Sequence, residues 1–380
     1  RKAPNGVSLS IAGPRSKGTM PGIITHSRLF HESLASLKKV KEATPFGRSL
    51  EALFSVPERL RAGYFGSIGP DIFDYLPVTR RDFFGTSLTM QLHSTRLTES
   101  LASLLSKTLL VGDFNNEWSA TRRAYVYGYV SHLITDAVFH PFVYYWAGFP
   151  DNGSRAEIYR YREQLLLFQY NMDLFFQYHY NNQVFDFALE ESLPVRAGTG
   201  ALDYRVKCLL LETLSEACPA ELPRLLWNVR DPMNDNGIWK RGPIDLIPSV
   251  IRHTYGIKRS GSRTIRKLMD RMRIRRRFFP DYVTRYPEPR RMNRHALNLH
   301  RERWFHPLGS PGLHYESVED LFRNARERTV AAWERMESAL YTGVSDISPI
   351  VTDLSVDSHT GEVGHNPLQM KMKKPVRLHL

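Results

Sequence analysis

"AYVYGYVSHLITDAVFHPFVYYWAGF", residues 124–149, carries one formal charge, Asp136. A run of this length matches a bilayer crossing. Yet His132, Asp136 and His140 recur every four residues, and helical positions four apart drift by only about 40°, so all three share one face. Imidazole and carboxylate at that spacing close on one cation, the logic of a helical metal site. Two histidines and an aspartate on one face are costly in lipid, no second span exists, and the neighbouring segments are amphipathic. The stretch therefore reads as a core helix. Pro141 is expected to end or kink it at His140. A buried polar network without metal is the alternative use of the same residues.

The rest of the chain is mostly helical in period. "HSRLFHESLASLKKV" puts Leu29, Phe30, Leu34 and Leu37 on one stripe, and residues 86–110 continue in that style. Residues 157–193 read as one long aromatic-rich helix. "ALDYRVKCLLLETLSEAC" and "SVEDLFRNARERTVAAWERMESALY" are amphipathic, and the second opens with Ser317 three residues before Asp320, a capping-box variant. Strand-like alternation is scarce.

The chain has 380 residues, with 42% hydrophobic and 12% aromatic content, enough for a substantial core. Its two cysteines, Cys208 and Cys218, fall on one predicted helix about 15 Å apart, too far for a bridge, and are expected as free thiols. The net charge of +13 is local: residues 252–303 hold 17 Lys plus Arg against 4 Asp plus Glu, and the remainder is neutral. Such a block suits anionic lipid or a phosphate backbone, or is a solvated helix face. Arg273, Arg275, Arg276 and Arg277 are its anion-binding candidates.

Residues 1–19 are Gly-, Pro-, Ser- and Lys/Arg-rich, without a secretory h-region, and are expected to be a disordered extension. A helical domain is expected over 20–342, with the basic block 252–303 as an insertion, and an irregular tail over 343–380. The loop 228–248 is expected to break the domain ahead of the basic block. The expected location is cytoplasmic, peripheral on a membrane.

Three further stretches bear on the opening helix: "MPGIITH" ending at His26, "YFGSIGPDIFDYLP" with Asp71 in a Gly-Pro turn, and His93 in "TMQLHSTRL". In this order and style the set resembles the zinc-dependent phospholipase C family, which includes the catalytic domain of glycosylphosphatidylinositol-specific phospholipase D and is related in fold to fungal zinc nucleases. The resemblance covers roughly 20–180, and "ERWFHPLGSPGLHYESVEDLFRNA" looks like the closing helical part of prokaryotic members. It implies an all-α bundle holding up to three Zn²⁺ ions. By position His26 resembles the first histidine ligand, and Asp71 a ligand or the general base. His93 and His132 resemble ligands of one metal pair, Asp136 the bridging carboxylate, and His140 a ligand of the remaining ion.

The sequence departs from the family at the last ion's second ligand pair. Its nearest equivalent is Gln169 and Asp173, and Gln is a poor zinc ligand. Asp173 remains a metal candidate, His179 a substitute from a different helix face, and two ions are expected in place of three. His31, His306 and His314 have no partner pattern. In the family the mature N-terminal residue binds zinc five residues before the first histidine. Translation from Met20 would give Pro21 that place.

The implied activity is hydrolysis of a phospholipid-type phosphodiester by metal-activated water, with an anionic membrane surface as partner. The alternatives are a metal-dependent nuclease on single-stranded nucleic acid and a non-catalytic zinc-binding protein.

Overall fold

The computed structural model describes residues 22–40, 45–76, 84–148, 155–226, 241–259, 292–309, 312–357 and 360–362. Pro21, the arginines at 273, 275, 276 and 277, and the expected extension at 1–19 lie outside them. Among the described residues the architecture is all-α, with no strand and only two isolated bridges, Val195 to Leu202 and Trp304 to His314. In chain order the helices are α1 (Ile23–Val40), α2 (Pro45–Phe54), α3 (Pro57–Ser67), α4 (Phe84–His93), α5 (Leu97–Leu109) and α6 (Glu117–Ala147). They continue with α7 (Arg155–Tyr178), α8 (Tyr204–Ala217), α9 (Ile247–Arg259), α10 (Val318–Thr342) and α11 (Ser348–Leu354). A 3-10 segment, Gly69–Tyr75, joins α3 to the stretch before α4.

The opening stretch belongs to α6, which is buried on nearly every side. A helix apolar all round must be enclosed, and α1, α3, α5, α7, α8 and α10 enclose this one. Asn116 starts it, its side chain accepting from the Ser119 amide. α3 comes closest: a Cβ on Gly128 would lie 2.0 Å from the Gly63 carbonyl oxygen, so only glycine permits this approach. α10 seats Trp333, fully buried, whose Nε1 donates to the Tyr127 carbonyl at 2.9 Å. The Ser317–Asp320 capping box fixes where α10 begins.

No helix among the described residues is long and apolar enough to cross a membrane. Cys208 and Cys218 are free and buried.

Four expectations change. The helix does not end at His140: α6 runs through Pro141 to Ala147. Proline forfeits one backbone hydrogen bond, and the burial of Phe142, Val143 and Tyr144 beyond it outweighs that loss. The 86–110 pattern splits at Ser94–Arg96 into α4 and α5. The long helix expected over 157–193 stops at Tyr178, where Asn181 and Asn182 take positive φ of 54° and 53°. Part of the expected 228–248 loop is helical, since Pro243–Leu246 forms a 3-10 turn leading into α9.

The tail also carries structure. α11 packs on α5, α6 and α10, and Gly361 lies so close to α6 that a Cβ there would stand 2.5 Å from the Ala137 carbonyl oxygen. That carbonyl is the one Pro141 leaves without its helical donor.

Candidate metal centre

Four elements bring the candidate residues together. α1 carries His26 in its first turn, the 3-10 segment carries Asp71, α4 ends on His93, and α6 supplies His132, Asp136 and His140. All six are at most 3% exposed.

Asp136 is the centre. Its Oδ1 faces His26 Nε2 at 3.3 Å and His140 Nε2 at 3.5 Å. Its Oδ2 faces His93 Nε2 at 3.0 Å and His132 Nε2 at 3.2 Å. Asp71 Oδ1 stands 3.6 Å from His93 Nε2. The His26 and His132 rings stack with centroids 4.2 Å apart.

The second nitrogen of two of these rings decides what the first can do. His93 Nδ1 meets the Thr89 carbonyl at 2.8 Å, and His132 Nδ1 meets the Ser67 carbonyl at 3.2 Å. A carbonyl only accepts, so each Nδ1 carries the proton and each Nε2 turns a lone pair inward. Those two Nε2 atoms lie 2.9 Å apart. Both oxygens of Asp136, Oδ1 of Asp71 and both nitrogens of His26 are buried without a hydrogen-bond donor or acceptor in good geometry. Buried polar atoms are rarely left so. A cation among them satisfies them at once, and the mixed nitrogen and carboxylate set suits zinc.

The electrostatics follow. Burial favours a neutral Asp136, but the His140 and His132 rings outweigh it and hold the carboxyl well below its usual range. Burial, together with the His26 and His93 rings, pushes His132 down to about 3, so it is neutral at pH 7 and ready to ligate. Burial also depresses His93, yet the Asp136 carboxylate 3.0 Å from its Nε2 prevails and its pKa is raised. Burial raises Asp71 well above the carboxylate range, helped by the charges of Asp136 and Asp74.

Two compact groups of ligand atoms result, His26 with Asp71 and His132, and His93 with His132 and Asp136. Neither includes Asp173. Its Oδ1 instead accepts from the Thr25 amide at 3.0 Å and the Thr25 hydroxyl at 2.9 Å, capping α1 beside His26. Gln169, one turn earlier on α7, is buried with Nε2 lacking a partner. His179 lies just past the end of α7 and is exposed, so it does not join the buried cluster.

His31, His306 and His314 stay outside it too. His31 Nδ1 meets the Tyr64 hydroxyl at 2.9 Å, and the His314 ring stacks on Trp304.

Sequence reasoning missed the supports. Thr89 and Ser67 act through backbone carbonyls, which any residue offers, so no side-chain signal marks them. Gly69 had one: it sits in the "GSIGPD" stretch. At φ 59° it lies against the His132 ring, where a Cβ would come within 2.3 Å.

Residues 25–199 match the model of a family described as zinc dependent phospholipase C. No curated protein and no solved structure gives a match.

Proposed function

We propose, for a chain that over residues 25–199 belongs to the zinc-dependent phospholipase C family, the hydrolysis of phospholipid-type phosphodiesters at the Asp136 cluster. The observation that supports this most is the pair of inward lone pairs on His93 and His132, set 2.9 Å apart over one oxygen of Asp136. An arrangement that repels itself when empty of positive charge is built to hold it.

On this reading His26, His93, His132, Asp136 and His140 would hold two Zn²⁺ ions, with Asp71 a further ligand or the general base. Zinc bound there supplies a lowered pKa for a bound water and positive charge against the phosphoryl oxygens. The protein's residues do the rest. Thr89 and Ser67 fix the ring tautomers through their carbonyls. Enclosure by α1, the 3-10 segment and α4 keeps the groups dry, which strengthens each charge interaction. Asp71, buried beside His93 with Oδ1 lacking a hydrogen-bond partner, is placed to serve either as a ligand or as the base that takes a proton from the attacking water. Water adds to phosphorus, the ester oxygen leaves as an alcohol, and a phosphomonoester remains.

Asp173 belongs to the frame of the site on this account. Its carboxylate holds the first turn of α1, and with it His26.

The test is a parallel assay of zinc-loaded protein on phosphatidylcholine vesicles and on a soluble chromogenic phosphodiester, with Asp136→Asn alongside. Turnover of both, abolished in Asp136→Asn, is expected. A zinc-loaded, folded protein that cleaves neither supports the non-catalytic zinc-binding alternative, and cleavage confined to single-stranded nucleic acid supports the nuclease.

A further inference from the structure

Beside the cluster, α6 has a second flank. Leu133, Ile134 and Ala137 lie roughly 100° around the helix from the metal face, and they form one wall of a cavity of about 320 Å³. That volume is at the small end of the range of ligand sites, about 300–1,000 Å³. The opposite wall is a stripe on α10: Arg328, Ala331 and Arg335 at i, i+3 and i+7. Ala331 is small, and it opens the space between the two arginines. Leu354 and Asp353 of α11 close the third side.

The charges in this cavity do not balance. Asp353 Oδ2 pairs with Arg335 Nη1 at 3.5 Å. Arg328 makes no ion pair with a described residue, and Arg335 lies two turns further along the same helix. The two arginines share one exposed stripe of α10, and the single carboxylate of Asp353 is paired to Arg335, which leaves a surplus positive charge beside an apolar wall. Water would satisfy the guanidiniums but gain nothing from the aliphatic wall. A neutral oil would do the reverse. A ligand with an anionic head and a short aliphatic chain meets both demands.

We infer that this cavity binds a short aliphatic anion, with its chain against Leu133, Ile134 and Ala137 and its head group between Arg328 and Arg335. A carboxylate and a phosphate monoester share this chemistry. The inference does not rest on the metal reading, because none of these residues belongs to the cluster.

The experiment uses the full chain and three probes below their micelle concentrations: decanoate, decyl phosphate and decanol. Binding is followed by calorimetry, with zinc content and thermal unfolding measured on every variant. One saturable site per chain is expected for decanoate or decyl phosphate, the tighter of the two identifying the head group. Decanol should bind at least tenfold more weakly. Arg328→Gln with Arg335→Gln should weaken the anions at least tenfold, and Ala331→Trp should block all three by filling the space. Zinc content should not change in either. Decanol binding as tightly as the anions, or no saturable binding of either anion to the unaltered protein, overturns the inference without any variant. Anion binding that survives in a folded double variant overturns it as well. Because no turnover is read, failure here leaves the phosphodiesterase proposal standing, and failure of that proposal leaves this one standing.

Discussion

The Nε2 atoms of His93 and His132 lie 2.9 Å apart, and the Nδ1 atoms of both rings are tied to backbone carbonyls. Neither ring can relieve the other by turning, because each would lose its carbonyl. Something positive must sit between them or beside them. Burial and the neighbouring rings push His132 down, whereas at His93 the Asp136 carboxylate overcomes burial and raises the pKa.

Asp71 opposes folding when ionised without metal. Its folded pKa is raised above the unfolded value of about 3.9. Its favourable contribution is thus present below that value and lost as pH rises through the folded pKa. Asp71→Asn should raise the melting temperature of metal-free protein at pH 7 by a few degrees, on the order expected for 1–2 kcal/mol, and change it little at pH 4. Zinc content and turnover of the loaded enzyme should fall. Equal melting curves for the two metal-free proteins at pH 7 would contradict the assignment.

Gly69→Ala meets two obstacles, a left-handed backbone at φ 59° and the His132 ring 2.3 Å from the new methyl. The backbone alone costs on the order of 1 kcal/mol. Displacing His132 should also cost zinc, read as a lower metal-to-protein ratio after dialysis. A variant that melts lower yet keeps its zinc would show that the glycine serves the turn and not the ring.

Asp173 separates two roles through one substitution. As a cap on α1 it needs only an acceptor oxygen, which asparagine keeps, so Asp173→Asn should hold both zinc content and stability. Asp173→Ala should lose about 1–2 kcal/mol by thermal unfolding. Loss of a whole zinc equivalent in Asp173→Asn would make it a ligand of a further ion.

Charge reversal at Arg273, Arg275, Arg276 and Arg277 should weaken binding to anionic vesicles steeply at low salt. Turnover of a small soluble phosphodiester should stay near its original rate. Vesicle binding that resists the reversal while single-stranded nucleic acid binding collapses would move the block to the nuclease reading. Collapse of small-substrate turnover would place the block in the active site.

Much of this was legible in the chain because helices repeat. The four-residue spacing of His132, Asp136 and His140 determines a shared face whatever surrounds it. The tyrosines and phenylalanines around them leave no polar side for α6 to expose. Boundaries were less legible, since they turn on small differences. Pro141 costs one hydrogen bond, and only the tertiary packing of Phe142 and Val143 shows that the helix survives it. The end of α7 depends on two asparagines in left-handed conformation, a choice many sequences leave open. Contacts between distant positions were not legible at all. Thr25 and Asp173 are 148 residues apart, and neither has a local pattern announcing the other. The same holds for α11, whose seven residues are too few to show a period and which is held by α5, α10 and α6.

The most direct test of the central claim is the zinc content of protein purified without chelator, measured by elemental mass spectrometry beside Asp136→Asn and the single histidine variants. Two zinc ions per chain are expected. Asp136→Asn should lose more than any one histidine variant, because both of its oxygens face histidine nitrogens on opposite sides of the cluster. A folded protein that carries no zinc and takes up none on titration would contradict the account, and would leave the Asp136 cluster a buried polar network.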